Sequence, residues 1–502
     1  MRALRLAPSL LLAGLLFAAG CTGGGPEPAT SAPTTNGAAA ASTTTTAASV
    51  ATTTMGPAVT TTAAPVLVDR SSGLGDPYFP DLGNPGYDVA HYLVDLAVDP
   101  AANTLAGEVV VTAAATANLD RFHLDLSGLT VDAVAVDGTA AAFERDGAEL
   151  IVTPASLVPT GEGFEVTVAY HGTPEPVRTI GFAAGWAQAE GITYVVAEPD
   201  GARTWLPSND HPGDKAAFTF RITVPEGNTV AANGSLVDVR AGAGETTFVW
   251  EMRQPMATYL ATVVAGGLTR VERGTFAGVL LRDYLPAGLA ADPPGLLDRV
   301  GEMIEFFSGA FGPYPFAEYG HAVVPAAEAL EDQTLCILGW GGGADPGDYD
   351  EGIVSHELAH QWFGDSVTPA TWQDIWLNEG FATFGQWLWL EHSRGAAAYA
   401  EQVAKSYDRL RRSGILPGDP GAGSMFSSTV YQRGGLTLHA LRVTVGDAAL
   451  FEILRAWASR YAYGNASTAD FVALAEEISG RDLGALFQAW LFDPAIPELP
   501  SG

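Results

Sequence analysis

Cysteine is nearly absent from this chain of 502 residues, which contains only Cys21 and Cys336. Cys21 ends a predicted signal peptide, so a disulfide framework is excluded in the mature protein. We expect Cys336 to be a small buried hydrophobic residue. Basic residues are also scarce, with 25 Lys and Arg against 57 Asp and Glu, and the formal net charge is −32. This charge argues against nucleic acid or an anionic membrane surface as a partner.

The N-terminal apolar run, residues 10–19, is too short to cross a bilayer but is typical of a secretory signal peptide. Residues 16–21, which end in Cys21, resemble a bacterial lipoprotein box, in which the cysteine is lipidated and becomes the mature N-terminus. We therefore expect a lipoprotein signal peptide over residues 1–21. The protein would then be exported and anchored to the outer face of the bacterial cell membrane by Cys21. An ordinary signal peptide with a chance cysteine is the alternative.

Residues 22–65 consist almost entirely of Thr, Ala, Ser, Gly and Pro. Such a segment has too little apolar bulk to offset the conformational entropy lost on ordering. We expect it to be a disordered stalk that lets a folded domain stand off the membrane.

Two kinds of periodicity divide the rest of the chain. Alternating apolar residues predict half-buried strands, and residues 82–268 are therefore predicted to form an all-β domain. The alternating sets are Phe164, Val166, Val168 and Tyr170, and Phe218, Phe220, Ile222 and Val224. Leu297, Val300, Ile304, Phe307 and Phe311 then follow at helical spacing after two prolines. Residues 269–500 are predicted to form a second domain that ends in helices, between about 399 and 490.

The segment His356-Glu357-Leu358-Ala359-His360 is an HExxH pattern within a predicted helix. One helical turn separates the two histidines, so both imidazoles can bind one metal ion while Glu357 reaches a water at that metal as general base. A catalytic zinc needs a third protein ligand, and Glu379 on the next predicted helix supplies it. Asp374 is a candidate for orienting a ligand histidine, because metal-bound imidazoles donate their other N–H to a carboxylate or carbonyl.

The HExxH segment, followed after eighteen residues by the glutamate of Asn378-Glu379-Gly380-Phe381-Ala382, resembles the signature of the aminopeptidase N family of zinc metallopeptidases, which are gluzincins. Other segments agree with this family in order from about Asp81 to Pro500. Residues 311–316 are similar to its entry into the catalytic domain, and residues 203–212 are similar to a landmark of its N-terminal domain. We expect both segments to be mainly structural.

The resemblance implies roles for three further residues. Glu331 lies in residues 328–332, which align with the family's Gly-Ala-Met-Glu-Asn motif, whose glutamate binds the free α-amine of the substrate. Glu198 corresponds to a second carboxylate that approaches this amine from the β domain. Tyr431 matches the tyrosine that donates a hydrogen bond to the oxyanion. A solvated acidic loop, a surface glutamate and a buried core tyrosine are the respective alternatives.

The resemblance also implies the fold class and the chemistry. We expect an N-terminal all-β domain, then a thermolysin-like α/β zinc-peptidase domain with a short helical C-terminal part. Larger family members carry a further helical domain over the cavity, so we expect a more open cleft here. The expected function is release of N-terminal residues from peptides by an enzyme with one zinc ion. A zinc endopeptidase and a non-catalytic surface binding protein on the same fold are the alternatives.

Overall fold

The structure, a computed structural model, describes residues 73–290, 295–326, 329–339, 351–410 and 413–500. The predicted signal peptide with Cys21, the predicted stalk and Glu328 lie outside these residues. Among the helices of the described ranges, none is long and apolar enough to cross a membrane.

Strands form the first part of the described chain. In chain order they are β1 (Tyr87–Asp99), β2 (Thr104–Ala115), β3 (Phe122–Asp125), β4 (Thr130–Val136), β5 (Thr139–Ala140), β6 (Ala142–Asp146), β7 (Glu149–Thr153), β8 (Gly163–Gly172), β9 (Val177–Thr179), β10 (Phe182–Ala189), β11 (Ile192–Val196), β12 (Ala216–Pro225), β13 (Thr229–Ala232), β14 (Ser235–Gly242), β15 (Glu245–Met256) and β16 (Val263–Gly266). They make an eight-stranded sheet in the order β14-β15-β12-β1-β2-β8-β4-β5, a five-stranded sheet in the order β13-β16-β11-β10-β9 and a three-stranded sheet in the order β3-β7-β6.

The predicted alternation explains why these segments form strands. In β8 and β12 the apolar residues of each predicted set are buried, and the residues between them are more exposed. A sheet with one face on the core requires this pattern. Parallel pairing of β1 with β12 places Tyr92 opposite Phe218, and their rings stack with centroids 4.8 Å apart. The prediction of half-buried strands is confirmed.

A third sheet opens the second part of the chain. Its strands are β17 (Leu268–Phe276), β18 (Val279–Pro286), β19 (Glu318–Val324), β20 (Ala329–Leu330) and β21 (Cys336–Gly339), in the order β17-β18-β19-β21-β20. β19 is parallel to both β18 and β21, whereas the edge strand β20 is antiparallel to β21. Cys336 is buried, as predicted.

Helices dominate the remainder. They are α1 (Ala287–Ala290), α2 (Val300–Phe311), α3 (Glu351–His360), α4 (Trp376–Arg394), α5 (Ala396–Leu410), α6 (Ser428–Val445), α7 (Asp447–Arg460), α8 (Thr468–Ser479) and α9 (Gly484–Phe487), and β22 (Thr368–Pro369) pairs with β23 (Asn465–Ala466). The apolar spacing after the two prolines predicts α2, which follows a 3-10 turn at Gly295–Arg299. The predicted fold class, a β-rich domain followed by an α/β domain with a helical C-terminal part, is confirmed.

Helices α4 and α6 cross at backbone contact. A Cβ atom added to Gly380 of α4 would lie 2.8 Å from the Cα of Gly434 of α6, closer than real Cβ contacts allow. Glycine is therefore required at the crossing, as small residues are wherever two helix backbones approach closely. Gly380 follows Glu379 directly, and Gly434 lies one turn after Tyr431. The crossing brings these two predicted site residues to the same place.

Candidate active site

The three predicted metal ligands converge from two helices. His356 and His360 lie one turn apart on α3, and Glu379 lies in the first turn of α4. The Oε2 atom of Glu379 is 3.2 Å from Nε2 of His356 and 3.5 Å from Nε2 of His360. The two imidazole rings are 4.7 Å apart between centroids. The side chains therefore present their ligand atoms to one point.

The donor set fits a zinc ion. One ligand atom from each of the three residues lies within 4.8 Å of the others, close enough for one metal ion. Two imidazoles and one carboxylate are a donor set of catalytic zinc sites, which keep a fourth position for water or substrate. His360 and Glu379 are buried and His356 is partly exposed. The residues present are therefore sufficient to hold the metal.

The charges of His360 and Glu379 stabilise each other, whereas burial and the charge of His360 lower the pKa of His356. Burial raises the pKa of Glu379, but hydrogen bonds from His356 and His360 lower this pKa to about 2. Burial lowers the pKa of His360, but the carboxylates of Glu331 and Glu379 raise it to about 10. The site thus favours positive charge beside its carboxylates. Because metal binding requires neutral imidazoles, a metal ion would replace the histidine protons in this role.

The orientation of His360 is fixed by the main chain. Its Nδ1 atom lies 3.1 Å from the carbonyl oxygen of Phe363, in the turn that follows α3. The expectation that Asp374 orients a ligand histidine is wrong. The Asp374 carboxylate instead accepts hydrogen bonds from the amide and hydroxyl of Thr468, at 3.1 and 2.6 Å, because it faces the start of α8. A main-chain acceptor such as Phe363 carries no signal in the sequence.

Glu357 is buried between the metal ligands and Glu331. A carboxylate oxygen of Glu357 lies within 4.8 Å of ligand atoms of Glu331 and His360. Burial raises its pKa to about 8, with the carboxylates of Glu331 and Glu379 adding to the shift and His360 opposing it. A carboxylate whose pKa is raised towards neutrality is suited to accept and return a proton.

Tyr431 stands beside the metal ligands on α6. Its ring is nearly parallel to that of His356, with an interplanar angle of 13° and centroids 5.8 Å apart. Burial, together with the carboxylates of Glu379 and Glu198, raises the pKa of Tyr431 well above its ordinary value. The hydroxyl therefore stays protonated and remains a hydrogen-bond donor.

Glu198 and Glu331 reach the site from two different sheets. Glu198 follows β11, Glu331 follows β20 directly, and the two residues are 7% and 2% exposed. One buried oxygen of each, Oε1, has no hydrogen-bond partner in the described part of the protein. Burial raises the pKa of Glu198 well above its ordinary value, and the charge of Glu331 raises it further. Two buried acceptors without donors can be satisfied by a cationic donor group.

The structure thus brings together seven of the eight site residues predicted within its described ranges, and Asp374 is the exception. Glu331 Oε1 lies 3.8 Å from Nδ1 of His360, which connects the carboxylate pair to the metal ligands. Trp205, in the N-terminal landmark, is fully buried and supports the fold. Sequence reasoning missed two contributors, the Phe363 carbonyl and the Gln361 side chain. Their only sequence signal is that they follow the HExxH segment.

Comparisons with known proteins agree with this geometry. Residues 346–490 match the Peptidase family M1 domain, and residues 88–260 match the Peptidase M1 N-terminal domain. An M1 zinc metallopeptidase from Deinococcus radiodurans has a similar structure, with a TM-score of 0.79 and 34% sequence identity over 86% of this chain and 99% of that protein. A mutant of the same metallopeptidase was crystallised with a Tyr-Ser-Ala substrate.

Curated relatives are longer. Aminopeptidase M1-D of Oryza sativa subsp. japonica is 28% identical over 445 residues, which cover 81% of this chain and 50% of the rice protein. Aminopeptidase N of Streptomyces lividans is 28% identical over 337 residues, which cover 61% of this chain and 38% of that enzyme. The chain spans about half the length or less of these curated relatives.

Proposed function

Because the chain belongs to peptidase family M1, we propose that it is a zinc aminopeptidase, which releases single residues from the free N-termini of peptides. One observation carries this proposal. Within the described part of the chain, one buried oxygen of Glu198 and one of Glu331 have no hydrogen-bond donor, and the Glu331 oxygen lies 3.8 Å from Nδ1 of His360. The protonated α-amine of a peptide would supply these two carboxylates with a positive charge and with hydrogen-bond donors. The amine would then lie one residue away from the bond at the metal.

His356, His360 and Glu379 would hold a single zinc ion. When bound, zinc acts as a Lewis acid that polarises the scissile carbonyl and lowers the pKa of water. Glu357 takes a proton from the attacking water and passes it to the nitrogen of the leaving amine, which cannot depart as an anion. Its carboxylate lies within 4.8 Å of ligand atoms of His360 and Glu331, beside the position that the zinc ion would occupy.

Tyr431 stabilises the negative charge that develops on the carbonyl oxygen. Its hydroxyl stays protonated because burial and the carboxylate of Glu379 raise its pKa. A hydrogen-bond donor held in place beside His356 can stabilise such a charge with little reorganisation during the reaction.

The carboxylate pair also determines where the chain is cut. Glu198 and Glu331 bind an amine that only the first residue of a peptide possesses, so the bond presented to Glu357 is the first peptide bond. An endopeptidase would have to bury both carboxylates against an uncharged peptide backbone, which costs desolvation without a compensating charge. The electrostatics of the pair therefore favour the aminopeptidase over the endopeptidase.

The cellular location is part of the same proposal. The mature protein begins at a lipidated Cys21 and stands off the outer face of the bacterial membrane on the stalk of residues 22–65. Both features come from the sequence alone.

Hydrolysis of a panel of aminoacyl chromogenic amides tests the proposed activity. Each amide is assayed beside its N-acetylated form, with and without a chelator. We expect turnover of free-amine substrates that is lost with the chelator and restored by zinc. Equal cleavage of blocked and free substrates would instead indicate an endopeptidase. No turnover of any substrate by the zinc-loaded protein would indicate a binding protein.

A further inference from the structure

Gln361 is a buried residue whose side-chain amide makes hydrogen bonds with four partners. It follows the ligand His360 in sequence and is fully buried. Its Oε1 atom accepts from the Tyr314 hydroxyl at 3.0 Å and from the Thr334 amide at 2.9 Å. Its Nε2 atom donates to the carbonyl oxygen of Glu331 at 2.9 Å and to the Cys336 sulfur at 3.8 Å.

These contacts join two parts of the candidate site that are distant in sequence. Gln361 extends from the end of α3, which carries His356 and His360. Its partners Glu331 and Thr334 bracket the turn between β20 and β21, which carries the Glu331 carboxylate. One side chain therefore links the metal-binding helix to the main chain of the residue proposed to bind the amine.

This link controls the distance between the Glu331 carboxylate and the metal-binding histidine His360. The Glu331 carboxylate lies 3.8 Å from the His360 imidazole, and the proposed α-amine site lies between this carboxylate and Glu198. Gln361 is bonded to Glu331 on one side and covalently bonded to His360 on the other. A buried amide with its hydrogen bonds satisfied cannot shift without leaving polar groups unpaired, so it holds this spacing rigidly.

We propose that Gln361 is a positioning residue, which sets the distance between the zinc site and the amine-binding carboxylate of Glu331. The inference rests on the proposed aminopeptidase function. It adds the residue that aligns the zinc site with the amine-binding carboxylate. Gln361 touches neither substrate nor metal. Its loss should weaken recognition of a free N-terminus selectively, because only the amine depends on where Glu331 stands.

Two substitutions separate the contacts. Gln361→Met keeps a similar volume and removes all of the amide hydrogen bonds. Gln361→Glu keeps an acceptor for Tyr314 and Thr334 but places a carboxylate oxygen against the Glu331 carbonyl. Asn209→Leu is the matched control, since Asn209 is a fully buried amide of the β-rich part whose side chain makes hydrogen bonds with Asn84 and Asp214, neither of which is a candidate site residue.

Binding is measured without turnover. Each substitution is combined with Glu357→Gln, the protein is loaded with zinc, and its zinc content and melting temperature are recorded. Isothermal titration calorimetry then gives the affinities for Tyr-Ser-Ala and for N-acetyl-Tyr-Ser-Ala. In the Glu357→Gln parent we expect the free peptide to bind more tightly than the acetylated one.

With Gln361→Met, affinity for the free peptide should fall by about tenfold or more, because the Glu331 carboxylate would no longer be held at the α-amine. Affinity for the acetylated peptide should stay nearly constant. The Asn209→Leu control should keep the parent's preference. If a folded, zinc-replete Gln361→Met protein keeps the preference, or loses affinity for both peptides equally, Gln361 is merely structural. If Gln361→Met does not fold, Gln361→Glu decides by the same criterion. A parent without any preference contradicts the proposed function itself, and this inference with it.

Discussion

The ring of Tyr431 stacks on the imidazole of His356, with centroids 5.8 Å apart and an angle of 13° between the planes. The two residues lie on different helices, α6 and α3. Their stacking depends on the close crossing of α4 and α6 at Gly380 and Gly434, which brings α6 to the metal ligands. The stacking keeps Tyr431 beside His356, and its hydroxyl interacts with Glu379, so both contacts are with predicted metal ligands.

Tyr431→Phe should therefore reduce kcat while leaving the metal in place. Loss of a single oxyanion donor costs about 3 kcal/mol, or roughly a hundredfold in rate. Tyr399→Phe is the control. Tyr399 lies on α5, outside the candidate site, and its hydroxyl lies 2.8 Å from Nδ1 of His439 on α6. Steady-state kinetics and zinc analysis of both variants check the expectation. A Tyr431→Phe enzyme with the wild-type rate would remove the role in oxyanion binding.

Glu357→Gln should retain zinc and lose nearly all turnover, because the carboxylate carries the proton and is not a ligand. His356→Ala should instead lose the metal as well, since it removes one of three protein ligands. Metal analysis by atomic absorption, paired with kinetics, distinguishes these outcomes. His392→Ala serves as the control, as His392 is 41% exposed and pairs with Glu302. Loss of zinc from Glu357→Gln would show that this glutamate belongs to the ligand set.

Cys21→Ser should release the protein from the membrane. The thiol of Cys21 is the group of the predicted lipoprotein box that would carry the lipid, so serine at this position should leave no anchor. Fractionation of cells that express each form, followed by detergent phase partitioning, measures the change. A Cys21→Ser protein that still partitions fully into the detergent phase would exclude the lipid anchor.

Buried Asp214 should make stability depend on pH. Burial raises its pKa from 3.8 to about 7, although hydrogen bonds from Asn209 and from the Val89 amide oppose the shift. Between these two values the folded protein binds more protons than the unfolded chain, so the free energy of unfolding falls as pH rises. Asp214→Asn should lessen this fall, and urea unfolding at about pH 5 and about pH 7.5 measures it. An equal fall in wild type and variant would contradict the shift.

Local periodicity accounts for what could be predicted from the sequence. The alternation in β8 and the helical spacing of α2 are set by neighbouring residues, and the HExxH spacing places His356 and His360 on one helix face by geometry alone. These features required no knowledge of the fold.

Tertiary contacts account for what could not be predicted. Asp374 precedes α4, and only the position of α8 determines that its carboxylate bonds Thr468 and not a histidine. The acceptor for His360 is a main-chain carbonyl, which every residue possesses. The bridging role of Gln361 depends on a turn some thirty residues earlier in the chain. Such partners are defined by packing between elements, which a single sequence does not encode in any local pattern.

Removal of the Glu331 carboxylate tests recognition of the free amine most directly. Hydrogen bonds to charged groups contribute about 1.5 to 3 kcal/mol, so Glu331→Ala should lower kcat/KM for a free-amine substrate by roughly ten- to a hundredfold. The N-acetylated form of the same substrate has no charge to bind, and its low kcat/KM should scarcely change. Measurement of kcat/KM for both forms with both enzymes gives the answer. An equal loss for free and blocked substrates in Glu331→Ala would contradict an aminopeptidase that recognises the N-terminus through this carboxylate.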